Sequence, residues 1–198
     1  MRKWIRPGVR WAGVPTLLAM MSWSAPAWAA GETYAIDNVH SDVIFRASHL
    51  GVSHAFGRFN DISGEIQVDT DDPAEMSISV QIKSASLDTN SDDRDKHLRG
   101  PDFFDAKQFP LIQFQSTAVK SKGGNKLEMT GDLTLHGVTK PVTVEVEKIG
   151  AGKDPWGGYR AGWVSEFTIK RSDFGMKFML EGLGDEVEII VALEGVRE

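Results

Sequence analysis

From about Tyr34 onward, apolar and polar residues alternate in short runs, the two-residue period of strands with one face in a core. In Ser77–Ile82, Ile78, Val80 and Ile82 fall on one side. In Lys126–Gly137, Leu127, Met129, Gly131, Leu133 and Leu135 point one way and Glu128, Thr130, Asp132, Thr134 and His136 the other, and Val142, Val144 and Val146 repeat the pattern. Further runs are TYAID, SDVIFRASHL, FGRFNDISGEIQVD, LIQFQSTAV, AGWVSEFTIK and EVEIIVALEGV, separated by turn-rich breaks such as KSKGGNK, HGVTK and LEGLGD. About eight or nine strands with mostly short connections predict an all-β, chiefly antiparallel fold, a barrel or a sandwich. A closed barrel of about eight strands has no edges and can enclose a small ligand. Neither an internal repeat nor an interdomain linker interrupts the pattern.

The alternation fails in two places. Residues 1–29 carry Arg2, Lys3, Arg6 and Arg10, no acid, and then a mostly apolar run from Trp11 to Trp23. Ala27 and Ala29 supply small residues before a cut after Ala29, so this segment reads as a secretory signal peptide, and residues 30–198 as a single exported, periplasmic domain. Gly13 and Pro15 interrupt a run already too short to span a bilayer, and without adjacent arginines the general export route fits better than the twin-arginine one. The second failure is SDDRDKHLRGPDFFDAKQFP, from Ser91 to Pro110. Asn90 or Ser91 can cap a helix, Asp92 and Asp93 suit its positive end, Lys96, His97 and Arg99 its negative end, and Gly100-Pro101 stops it. The reading is one short helix and an aromatic loop.

Composition narrows the function classes. The chain has 28 acidic and 22 basic residues, and removing the leader's four basic residues leaves 18 against the same 28 acids. Such a chain is a poor partner for nucleic acid. No later apolar run is long enough for a membrane span. With no cysteine there are neither disulfides nor thiolate chemistry, so the fold relies on its own core.

Candidate chemistry is sparse. Asp88, Asn90 and Asp92 alternate as in a calcium loop, but the sixth position is Asp93 instead of glycine and the twelfth is Arg99 instead of a bidentate glutamate. The histidines, His40, His49, His54, His97 and His136, form no helical H-E-x-x-H pair, and His49 shares its strand face with Val43, Phe45 and Ala47, at the end of an apolar wall. GVSHA, Gly51–Ala55, lacks the strand-turn-helix context of a nucleophile elbow. Neither a metal nor a cofactor is expected. Phenylalanines spread over most segments, joined by Met129, Met176 and Met179, suit either a filled barrel or an adaptable lining for an apolar ligand.

Four ordered motifs carry a resemblance: YAIDNVHSDVIFRASHLGVSHAFGRFNDISGEI, DDRDKHLRGPDFFDAKQFPLIQFQST, GDLTLHGVTKPVTVEV and IKRSDFGM. From about Tyr34 to the C-terminus the chain resembles the YceI-like family of exported polyisoprenoid-binding proteins. The resemblance implies a lipocalin-like antiparallel barrel of about eight strands with one or two short helices, whose interior holds a polyisoprenoid or other long-chain amphiphilic lipid without catalysis. With that barrel, the resemblance implies that Arg94, Asp95 and His97 tie the helix to the rim, Arg94 through a carboxylate, while Phe103 and Phe104 close over the core. The residues placed on that interior are Phe45, His49, Phe56, Phe59, Arg94, His97, Phe103, Phe104, Phe114, Met129, Leu133, Trp163, Phe167, Phe174 and Met176. Two rival readings are an acid-base or metal-assisted enzyme using His49, His97 and the Asp-rich helix, and an accessory that hands a quinone-like lipid to a membrane redox partner. A homodimer is the other partner considered.

Overall fold

The computed structural model describes residues 31–69 and 72–198, so the leader expected at residues 1–29 lies outside the described residues. The strands are β1 (Glu32–Ile36), β2 (Asp42–His49), β3 (Ser53–Phe59), β4 (Ile62–Val68), β5 (Ser77–Lys83), β6 (Leu87–Asp88), β7 (Leu111–Gly123), β8 (Lys126–Leu135), β9 (Val138–Lys153), β10 (Tyr159–Lys170) and β11 (Glu186–Arg197). Helix α1 is Asp92–Leu98 and α2 is Leu180–Leu183.

Eleven strands make eight staves, because three staves are each built from two pieces. β1 pairs with β4 while β2 pairs with β3, and β4 pairs with β5 while β3 pairs with β6. The staves are therefore β1/β2, β3/β4 and β5/β6, followed by the unbroken β7 to β11, each antiparallel to the next. The last closes on the first: β11 pairs with β1 through Gly195–Arg197 and with β2 through Val187–Ala192. This is a closed up-and-down barrel, not a sandwich.

The strand count differs from the sequence reading at the breaks, which fall side by side across three neighbouring staves. FGRFNDISGEIQVD, read as one strand, turns at Asn60 and Asp61. Asn38 Oδ1 accepts from Ile62 N–H at 2.6 Å, Asn38 Nδ2 donates to the Asn60 carbonyl at 3.2 Å, and Asn60 and Asp61 N–H donate to the carbonyl and Oγ of Ser86, each at 3.1 Å. Side chains thus take the backbone partners that the ladder gives up at the bend.

The connections sort into two ends. One end holds the β2–β3 hairpin, α1 with the loop after it, the β8–β9 hairpin and the segment carrying α2. The β7–β8 and β9–β10 hairpins and the β4–β5 connection lie at the other. The β8–β9 turn is a two-residue one: Leu135 pairs with Val138, and His136 and Gly137 take φ of 51° and 73°. His136 is anchored there by its Nδ1, which donates to the Phe174 carbonyl at 3.0 Å.

Helix α1 forms where its charge pattern predicts it. Ser91 is the N-cap in an extended conformation, but its hydroxyl makes no cap bond, and its carbonyl accepts Asp95 N–H at 2.9 Å. β6 pairs with β3 only at Arg58 and Phe59, so the outer half of β3 has no strand beside it on that side. The loop after α1 runs across this end instead. Ser84 Oγ holds the Phe109 carbonyl at 2.8 Å, and the Phe109 ring rests on His136 with centroids 4.8 Å apart.

Candidate functional site

The inward faces of the staves enclose a cavity of about 580 Å³, of the size that takes a small ligand. Its deeper wall is apolar. Ile78, Val80, Met129, Val144, Val146, Trp163 and Leu193 all line it and are all buried. Alternation along β10 and β11 puts Trp163 and Phe167, then Val187, Ile189, Val191 and Leu193, on the same interior. The cross-strand partner of Phe45 is Gly57, where a Cβ would stand 2.2 Å from the Phe45 ring. Only glycine lets that ring lie flat against the wall.

The exposed lining residues, His49, Ser53, His54, Phe56, Arg94, His97, Phe178 and Met179, lie at the α1 end. The cavity therefore opens there, between the β2–β3 hairpin, α1 with its loop, and the segment before α2. Phe103, His97 and Phe178 stack edge to face, with centroids 5.1 to 5.5 Å apart, and Phe104 sits against Phe45 and Phe59 at 6.2 and 5.5 Å.

Of the residues placed on the interior from sequence, Phe45, His49, Phe56, Phe59, Arg94, His97, Phe103, Phe104, Phe114, Met129, Leu133, Trp163, Phe167 and Met176 line this cavity. Phe174 does not line it. It falls in the tight turn after β10, packs into the core at 2% exposure, and leaves Met176 to face inward. Strand alternation does not carry through a helical turn, which is why the position was misplaced. The inward β11 residues Val187, Ile189, Val191 and Leu193, absent from that set, are marked by the alternation of EVEIIVALEGV.

The tie between α1 and the rim is real but wired differently from the expectation. Among the described residues Arg94 reaches no carboxylate: its Nε donates to Thr89 Oγ1 at 2.8 Å and its Nη2 to the Thr89 carbonyl at 2.5 Å. The buried carboxylate is Asp95, which accepts from Thr89 N–H at 2.9 Å and Thr89 Oγ1 at 2.5 Å, with Arg99 at 3.7 Å. Both helix residues converge on Thr89 because the chain before the N-cap folds back across the first turn. His97 Nε2 pairs with Asp102 at 3.0 Å, and both are about half exposed.

Arg171 belongs to the IKRSDFGM motif but has no role assigned from sequence. Buried at 5% exposure, it donates from Nε to the Gly184 carbonyl at 2.7 Å and from Nη1 to the Met176 carbonyl at 3.0 Å, so it pins both ends of the segment carrying Phe178. Among the described residues its Nη2 has no hydrogen-bond partner, and burial pushes the guanidinium's pKa down. No local pattern marks such a residue, since its partners are backbone carbonyls five and thirteen positions away.

Among the described residues, one group has metal-ligand geometry: Asp37, His40 and Glu194, at the break between β1 and β2. A guanidinium already occupies its centre. Arg160 Nη1 meets Asp37 at 2.7 Å and Glu194 at 2.5 Å, while its Nε meets Asp154 at 3.0 Å. Arg160, helped by His40, holds the Asp37 carboxyl well below the usual carboxylate range. The group is an ionic clasp whose negative charges are met. The calcium-like run is likewise spent on the turn before α1, where Asp88 Oδ1 accepts Asn90 N–H at 2.8 Å.

Known proteins resemble this chain in sequence or in fold. A UPF0312 protein of Photorhabdus laumondii is 46% identical over 180 residues, covering 91% of this chain and 93% of its own. The crystal structure of Burkholderia cenocepacia BcnA superposes with a TM-score of 0.73 at 29% identity, covering 80% of this chain and 98% of that one. A polyisoprenoid-binding domain from Saccharophagus degradans, implicated in plant cell wall breakdown, shares the fold with a TM-score of 0.64 at 17% identity, covering 83% and 98%. The YceI-like domain matches residues 34–195, nearly the whole barrel, and the chain belongs to that family.

Proposed function

We propose that the protein is an exported carrier that holds a polyisoprenoid or similar long-chain amphiphile in the barrel, tail inward and head group at the α1 end, without catalysing a reaction. The observation that carries this is the cavity's polarity: its deep wall is buried and apolar, while Arg94, His97, His49 and His54 stand only at its opening. Each isoprene unit moved from water into such a cavity contributes about 2 to 3 kcal/mol before the cost of ordering the chain. Discrimination between tails is weak, because apolar walls distinguish poorly at the level of single methylenes. Export is supported by the leader read from the sequence at residues 1–29 together with the family.

Native mass spectrometry before and after organic extraction is the direct test. An extractable lipid should account for the added mass, and delipidated protein should melt higher when a long isoprenoid is returned. If nothing copurifies, and no isoprenoid or fatty amphiphile raises the melting temperature, the carrier reading is lost. Chemical turnover of the lipid by the protein, abolished in His97→Ala, would put an enzyme in its place.

A further inference from the structure

Eight large apolar side chains among the described residues are at least a third exposed, and five of them, Leu50, Val52, Phe56, Phe178 and Met179, belong to the open end. Their two segments touch. Leu50 N–H donates to the Gly182 carbonyl at 2.6 Å, and a Cβ on Gly182 would stand 3.4 Å from Leu50 Cδ2 and 3.0 Å from Met179 Cε. Leu50 and Met179 both hold the left-handed backbone conformation, with φ of 53° and 46°, which residues other than glycine seldom adopt. That geometry keeps two apolar side chains on show where an ordinary turn would carry polar ones. Phe56, Phe178 and Met179 also line the cavity, so the outer patch continues into the interior.

The tip of the β2–β3 hairpin carries no acid. The nearest acids in sequence on either side of the β2–β3 hairpin are Asp42 and Asp61, and the eighteen residues between them include none. Arg46 and Arg58 in that stretch are paired with Glu188 and Asp42, which leaves His49 and His54 on the hairpin, while the neighbouring segment carries Lys177 and Glu181. The acids of the open end belong to α1, its loop and the α2 segment, where Asp92, Asp93 and Asp102 are interspersed with Arg94, Lys96 and His97, so the hairpin tip is the part of this face that meets an anionic surface without an acid of its own.

We propose that the tip of the β2–β3 hairpin and the Phe178–Met179 shelf form a docking surface for a lipid bilayer, into whose interface they dip while the cavity opens toward the acyl chains. The inference rests on the carrier reading for its occupant: a long tail that left through a wet mouth would expose every unit to water, and contact between this rim and the bilayer removes that barrier. Binding by a few apolar side chains is weak and reversible, as a carrier that must leave again requires.

The test uses the full purified protein with vesicles of phosphatidylethanolamine and phosphatidylglycerol, read by flotation and by the rate at which a dansyl-labelled geranylgeraniol moves from protein to vesicle. Val52 and Leu50 lie outside the cavity lining, so Val52→Glu, and Leu50→Asn, which tolerates the backbone, should leave uptake of the probe from dilute ethanol unchanged. Vesicle binding and transfer should each fall by about tenfold or more in both variants. Trp156→Glu, equally exposed at the opposite end, should transfer like the wild type. The proposal is overturned by wild-type protein that neither floats nor transfers faster as vesicles are added, by tip variants that transfer at the wild-type rate, or by a loss confined to Trp156→Glu. A wild-type dimer that Val52→Glu converts to a monomer also overturns it, because the patch then covers a second copy. Failure of every protein to take up the probe sinks the carrier reading, while flotation still decides the docking surface.

Discussion

At the closed end of the barrel, Tyr34 and Trp163 meet edge to face at 5.7 Å, both nearly free of solvent, among Ile66, Met76 and Leu127. At the open end, rings of similar size stack on a histidine and on each other, with Phe178 and Phe56 partly in water. The contrast follows from the staves. At the closed end the ladder is continuous from β1 through β4 and β5 to β7–β11 and the inward side chains fill the space, whereas at the open end β6 is two residues long and pairs only with β3, which leaves α1 and its loop to complete the wall. A filled end supplies stability and an incompletely filled one supplies room and access, within one continuous sheet.

Removing a ring from each end breaks the comparison most directly. Trp163→Ala should cost about 3 to 5 kcal/mol in urea unfolding of delipidated protein, since the ring is buried and neighbours cannot collapse into its place. Phe103→Ala should cost less, roughly 1 to 3 kcal/mol, because two of its partners, His97 and Phe178, are themselves exposed, and it should shorten lipid retention more than it lowers stability. Equal losses at the two ends would show that the mouth is packed as core.

The rim contacts sharpen the picture. Asp95→Ala leaves the N–H and hydroxyl of Thr89 without their acceptor, and should destabilise by about 1 to 3 kcal/mol. Arg94→Ala, which removes donors from a partly wet site and strands no carboxylate, should cost about 1 kcal/mol or less. Differential scanning calorimetry of the two variants should preserve that order.

The smallest effect is electrostatic. Asp37 and Asp154 are ionised more readily in the fold than in the unfolded chain, chiefly through Arg160. The clasp's stabilisation is therefore present above the ordinary carboxylate range and fades as pH falls through that range, from about 5 downward. Arg160→Met returns both carboxyls toward ordinary values, so its stability should vary less with pH over that interval. An unchanged slope in acid denaturation curves would remove the clasp from the account.

Local order was legible because it depends on local rules. The alternation in KLEMTGDLTL and SISVQI specified strands and their inward faces, and the acids before the bases in DDRDKHL specified a helix and its direction. Most of the lining followed from the same alternation once a closed interior was assumed. Closure itself was not local. β11 chooses both β1 and β2 as partners only after eight staves have accumulated their twist and tilt, and alternation alone fits a sandwich as well. Phe174 and Arg171 mark the other limit. Both sit where a strand passes into a tight turn, and there the direction of a side chain is set by carbonyls and rings brought from Gly184, Met176 and His136. Periodicity determines which face a residue occupies within an element; what faces it across the barrel, and whether the space between is filled or open, is decided only when distant elements meet.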